Sequence, residues 1–115
     1  MSQAEEKTIL RKIEKDDPEL KSLKWRIYED ESISIRICKK MKKNTNLKQL
    51  FLLGNISNAS CAAIGQLLSE TKTLEYLNLS QTKIGAKGLE KIARGLQPNK
   101  SLKWLILNQT KVREL

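Results

Sequence analysis

Large apolar residues return along this chain at a near-constant interval. Four segments share the pattern L-x-x-L-x-[LW]: Leu20, Leu23 and Trp25; Leu47, Leu50 and Leu52; Leu74, Leu77 and Leu79; Leu102, Leu105 and Leu107. The leading leucines are 27, 27 and 28 residues apart. Within each segment the alternation of apolar and polar positions has period two, which predicts a short strand. The second half of each period keeps a different rhythm. Counting back from the next leading Leu, six residues give Met41, Leu68 or Leu96, ten give Ile37, Ile64 or Ile92, and thirteen give Ser34, Cys61 or Leu89. Steps of three and four residues place these on one stripe of a helix of about three turns. Only Ser34 interrupts the apolar set, and Ile33 beside it is a substitute.

Turn chemistry agrees with this division. Asp30 or Ser32 can cap the first repeat helix and Ser57 or Asn58 the second, whereas the third starts at Gly85, a weaker cap. Pro98 stops that third helix two residues past Leu96. The ninth residue of each unit is Tyr28, Asn55, Thr82 or Thr110. Asn and Thr can hydrogen-bond a turn backbone from there, and Tyr28 marks an irregular first unit.

Strand, turn and helix repeated in parallel predict an α/β fold, a right-handed leucine-rich-repeat solenoid with a parallel concave sheet and convex helices. Repeats are expected at 20–46, 47–73 and 74–101, with a partial one at 102–115. Residues 1–19 are read as an N-terminal cap, its helix running from Thr8 to Lys15 with Ile9, Leu10 and Ile13 on one face before Asp16-Asp17-Pro18. After the fourth strand, placed at roughly Leu105 to Asn108, the chain has only Gln109 to Leu115. Three readings of that end stay open: the tail folds over the last strand through Val112 and Leu115, the natural chain is longer, or another molecule covers the edge.

The spacing resembles the ribonuclease-inhibitor class of leucine-rich repeats over residues 20–115. A narrower resemblance lies in Ile9-Leu10-x-x-Ile13, Asp17-Pro18-x-Leu20, and the junctions Lys43-Asn44-Thr45-Asn46-Leu47 and Lys72-Thr73-Leu74. These are similar to the C-terminal repeat domain of tropomodulins and leiomodins. That resemblance implies binding to actin at the pointed end of filaments, which makes actin the first candidate partner. No individual contact residue is carried over from it.

Chemistry for catalysis is sparse. The chain has no histidine, which removes Ser-His-Asp and Cys-His triads and most zinc sites. Gly85-Ala86-Lys87-Gly88 is too short for a phosphate-binding loop and starts a repeat helix. No enzymatic activity, cofactor or metal is expected. Cys38 and Cys61 are far apart and read as buried small hydrophobes. The polar, acid-containing N-terminus is neither a secretory nor a transit signal, and no segment approaches the ~20 apolar residues of a membrane span. A cytoplasmic location follows as the expectation.

The strand alternation leaves three outward columns: Ser22, Gln49, Tyr76 and Trp104; Lys24, Phe51, Asn78 and Ile106; Arg26, Leu53, Ser80 and Asn108. Three of the five aromatic residues fall in this grid. Phe51, Leu53, Tyr76, Asn78, Trp104 and Ile106, rimmed by Lys24 and Arg26, are therefore the candidate partner-binding residues, with cover by the chain's own end as the competing role. The net charge of +9 also makes an acidic protein, a nucleic acid or an anionic lipid a conceivable partner. The run Lys39, Lys40, Lys42, Lys43 either complements a helix C-terminus and stays solvated, or docks such a partner. An open C-terminal end further predicts self-association.

Overall fold

The computed structural model describes residues 3–28, 30–54 and 56–107. Strand and helix alternate after a first helix: α1 (Gln3–Glu14), β1 (Ser22–Ile27), α2 (Ser32–Lys40), β2 (Gln49–Gly54), α3 (Asn58–Glu70), β3 (Tyr76–Asn78), α4 (Ala86–Leu96) and β4 (Trp104–Ile106). The strands form one parallel sheet in the order β1-β2-β3-β4. The helices pack in the same order, α1 on α2, α2 on α3 and α3 on α4.

The repeat leucines make the core between these layers. Leu47, Leu50, Leu52, Leu74, Leu77 and Leu79 are wholly inaccessible, as are Ile37, Ile64 and Leu68 of the helical stripe. Each such side chain contributes about 1.5–3 kcal/mol by leaving water. Trp25, on an inward position, is buried with them. In the fourth unit Leu102, Leu105 and Leu107 are only partly buried, because among the described residues β4 is paired on one side alone.

Ser34 keeps its place on the helical stripe and is fully buried. Its hydroxyl lies 2.8 Å from that of Ser60 and donates to the Glu31 carbonyl at 2.6 Å. A polar side chain is tolerated there because its partner is built into the next repeat. Ile33 is buried beside it rather than instead of it.

The junctions before each strand share a device. The residue three places before each leading Leu turns its oxygen onto the following backbone. Asn44 Oδ1 accepts from the Leu47 amide at 2.7 Å, Thr71 Oγ1 from Leu74 at 3.1 Å, and Asn99 Oδ1 from Leu102 at 2.7 Å. Asp17 does the same for Glu19 at 2.9 Å. Asn44 and Asn99 also donate backwards, to the carbonyls of Ile13 and Leu68. Asn and Thr thus satisfy main-chain groups that the turn would leave unpaired.

Several local expectations shift. The first helix starts at Gln3 rather than Thr8, extended by Glu5 and Glu6 in its first turn and by the Glu6–Arg36 ion pair at 3.2 Å. The N-cap of α2 is Glu31, with no side-chain cap bond, not Asp30 or Ser32; Asp30 instead accepts from the Ser32 amide at 2.9 Å. Met41 lies in a 3₁₀ turn, Met41–Lys43, beyond the end of α2. Ser57 does cap α3, accepting from the Ala59 and Ser60 amides. Thr82 donates to the Leu79 carbonyl at 2.6 Å, as its turn position requires. Asn55, Thr110 and the whole tail, with Asn108, Val112 and Leu115, lie outside the described residues.

Candidate functional site

Parallel pairing aligns the outward residues of all four strands. Ser22 faces Gln49, Gln49 faces Tyr76, and Tyr76 faces Trp104. In the next column Lys24 faces Phe51, Phe51 faces Asn78, and Asn78 faces Ile106. Both columns therefore have the register that the repeat spacing predicts.

The aromatic rings form a continuous row. Phe51 and Tyr76 have ring centroids 5.2 Å apart, and Tyr76 and Trp104 6.5 Å apart, tilted by 45° and 49°. Such tilted pairs are within the favourable range for aromatic contact. Lys24 Nζ sits 5.9 Å from the Phe51 centroid, a cation–π approach that ties the basic rim to the row. Trp104 is 55% exposed, and Phe51, Tyr76 and Ile106 are half-buried. Lys24 and Arg26 are exposed at the β1 end.

Two of the candidate residues behave differently from the rest. Leu53 is 6% exposed, so it is not part of an exposed patch. Leu53 keeps the register of β2, opposite Arg26, and is buried without joining the core cluster that holds Leu50 and Leu52. Asn78 is engaged within the sheet face. Its amide donates to the Tyr76 hydroxyl at 3.1 Å and its Oδ1 accepts from the Ser80 amide at 2.8 Å. Asn78 thus orients Tyr76 and steadies the strand exit.

The alternation rule also passed over Tyr28, just after β1, which is 60% exposed. With Arg26, Glu6 and Asp30 it lines a cleft of about 170 Å³ beside the basic rim. Its position in the turn, where the other repeats carry Asn or Thr, was the available signal.

The lysine run is partly neutralised. Lys40 pairs with Glu14 at 3.1 Å and Lys42 with Glu70 at 3.3 Å. Among the described residues no group of three His, Cys, Asp or Glu side chains is arranged to hold a metal ion. Burial pushes the Cys38 thiol up to about 12 and the Cys61 thiol to about 11, so both are protonated and unreactive at neutral pH. No helix among the described residues is long and apolar enough to cross a membrane.

No family model matches the chain. Human leiomodin-3 is 30% identical over 96 residues, covering 81% of this chain and 17% of that protein. Human tropomodulin-4 is 27% identical over 97 residues, covering 82% of this chain and 28% of that protein. The chain thus spans well under a third of either relative. The solved structure of leiomodin-1 actin-binding site 2 superposes with a TM-score of 0.77 at 28% identity, over 87% of this chain and 60% of that one. The tropomodulin C-terminal domain of Caenorhabditis elegans has a TM-score of 0.76 over 91% of this chain and 65% of its own; at 13% identity it speaks for the fold alone. The homologues and structural neighbours are leiomodin and tropomodulin C-terminal domains, which are leucine-rich-repeat domains.

Proposed function

Because its relatives are leiomodins and tropomodulins, we propose that this chain is a non-enzymatic, actin-associated binding module of the cytoplasm. Units 20–46, 47–73 and 74–101, with a partial unit beginning at 102, act together as a right-handed solenoid, with 1–19 as its N-terminal cap. The partner lies on the concave outer face of the sheet. The row Phe51–Tyr76–Trp104 is the observation that carries this reading, since an accessible aromatic cluster beside Lys24 and Arg26 has the make-up of a binding hot spot. The likeness to the solved actin-binding site 2 of leiomodin-1 supports actin as that partner.

A charge-driven role, binding nucleic acid or anionic lipid, draws on the net charge of +9. The two readings separate by salt. Titration of fluorescent actin with the domain at 50 and 200 mM salt is expected to show a loss of affinity of less than about tenfold, whereas contacts to many phosphates would cost about 10³-fold or more. No actin binding at either salt, with steeply salt-dependent binding to an oligonucleotide or an anionic vesicle, would reverse the assignment.

A further inference from the structure

A cavity of about 620 Å³ lies on the opposite side from the sheet face, in a furrow between α2 and α3. Its floor is Ile35, Cys38, Ala59, Ala62, Ala63 and Leu67. Ala59 and Ala62 are exposed, and Ile35 and Ala63 half so. A surface helix ordinarily turns charge towards water. α4 does so with Lys87, Glu90, Lys91 and Arg94, whereas α3 has Glu70, its last residue, as its one charged side chain. The outward face of α3 is therefore nearly uncharged, with Ala59, Ala62 and Ala63 forming an apolar strip beside Asn58, Gln66 and Ser69.

We infer that this furrow is a second docking site, and that its occupant is an amphipathic helix of a partner protein flanked by carboxylates. Two neighbouring helices leave a trough that accepts the ridge of a third, and alanines on the floor let a backbone come close. Charge sets the sign of the flanks. Lys39 of α2 and Lys42 in the 3₁₀ turn after it stand on one wall, and the opposite wall answers only with Glu70, already bridged to Lys42 at the trough's end. Lys39 stands exposed on its wall, and an incoming Glu or Asp completes it.

The test uses the full chain, isotope-labelled, and two synthetic helical peptides with Leu at i, i+3, i+4 and i+7. One carries Glu at its other positions and the other Lys. The Glu peptide is expected to bind at least about tenfold more tightly, with shifts centred on residues of the furrow. Ala62→Glu and Lys39→Glu should each weaken it by a similar factor without lowering Tm, while a Phe51/Trp104 double alanine variant binds it normally. Equal affinity for both peptides, shifts confined to the strands, or unchanged binding by Ala62→Glu would overturn the site. Concentration-dependent dimerisation in sedimentation velocity, abolished by Ala62→Glu, would instead make the occupant a second copy of this chain.

Discussion

Asp16 reaches across 29 residues of sequence to Thr45, accepting from its main-chain amide at 2.9 Å and from its hydroxyl. The same carboxylate takes the Asn46 amide at 3.1 Å and the Asn46 side chain at 3.0 Å. It does this from a left-handed conformation, φ 53°, which Asp tolerates better than most residues. The end of α1 is thereby fastened to the junction that leads into β2.

That clasp predicts an acid sensitivity. The Thr45 hydroxyl, then the Thr45 amide, hold the Asp16 carboxyl below its ordinary value of 3.8. The folded protein thus binds this proton less readily than the unfolded chain does. Its stabilisation is complete above about pH 4 and drains away as pH falls through the lowered folded value. Asp16→Ala should therefore lower Tm at pH 7, with the gap to wild type narrowing at progressively more acidic pH. A gap that is constant down to acid would show that the carboxylate's charge plays no part.

Glu31 belongs to a second inter-repeat network. Burial disfavours its charge, yet the hydroxyls of Ser57 and Ser60 outweigh this and lower its pKa overall. Ser60 donates to it at 2.7 Å while also meeting Ser34. Ser60→Ala is expected to cost about 1–2 kcal/mol in chemical denaturation. Ser34→Ala combined with Ser60→Ala should cost less than the sum of the two, because neither hydroxyl is then left to find a lost partner. Strict additivity would mean that the hydroxyls act separately.

Glycines mark where repeats touch and where one is unfinished. A Cβ on Gly95 would lie 2.1 Å from the Gly65 carbonyl oxygen, so α3 and α4 meet backbone to backbone. Gly95→Ala should destabilise by about 1–3 kcal/mol through overpacking. Gly85 differs. Its backbone, φ −86° and ψ −179°, nearly repeats that of Ser57, φ −92° and ψ 178°, and nothing lies within 4 Å of its missing Cβ. Gly85→Ser should recreate the cap of α3 on α4 and gain a few tenths of a kcal/mol, read as a higher Tm. A lower Tm would show that the third repeat needs a bare backbone there.

What the sequence discloses is what periodicity governs. Leucine spacing alone places β1 to β3, the stripe Ile37, Ile64 and Ile92, and the two aligned columns ending at Trp104 and Ile106, while it starts the fourth strand at Leu105 where β4 runs Trp104–Ile106. It fails where a side chain's fate depends on a partner many residues away. Leu53 reads as exposed from its outward register, yet it is only 6% exposed, which the repeat spacing does not announce. The bonds of Asp16 and Glu31 are equally hidden, since nothing near them in sequence announces Thr45 or Ser60. Asn78 reads as a contact residue, and its bond to Tyr76 emerges only once strand geometry sets the two side chains together.

The row on the sheet face is tested most directly by measuring actin affinity for wild type, Phe51→Ala/Trp104→Ala and Leu77→Ala, with urea denaturation of each. Leu77 is wholly buried and should lose about 2–5 kcal/mol of stability. The aromatic double variant is expected to keep nearly wild-type stability and to lose about 2 kcal/mol or more of binding. If it binds actin as wild type does, or unfolds as readily as Leu77→Ala, the sheet face is not the gripping surface.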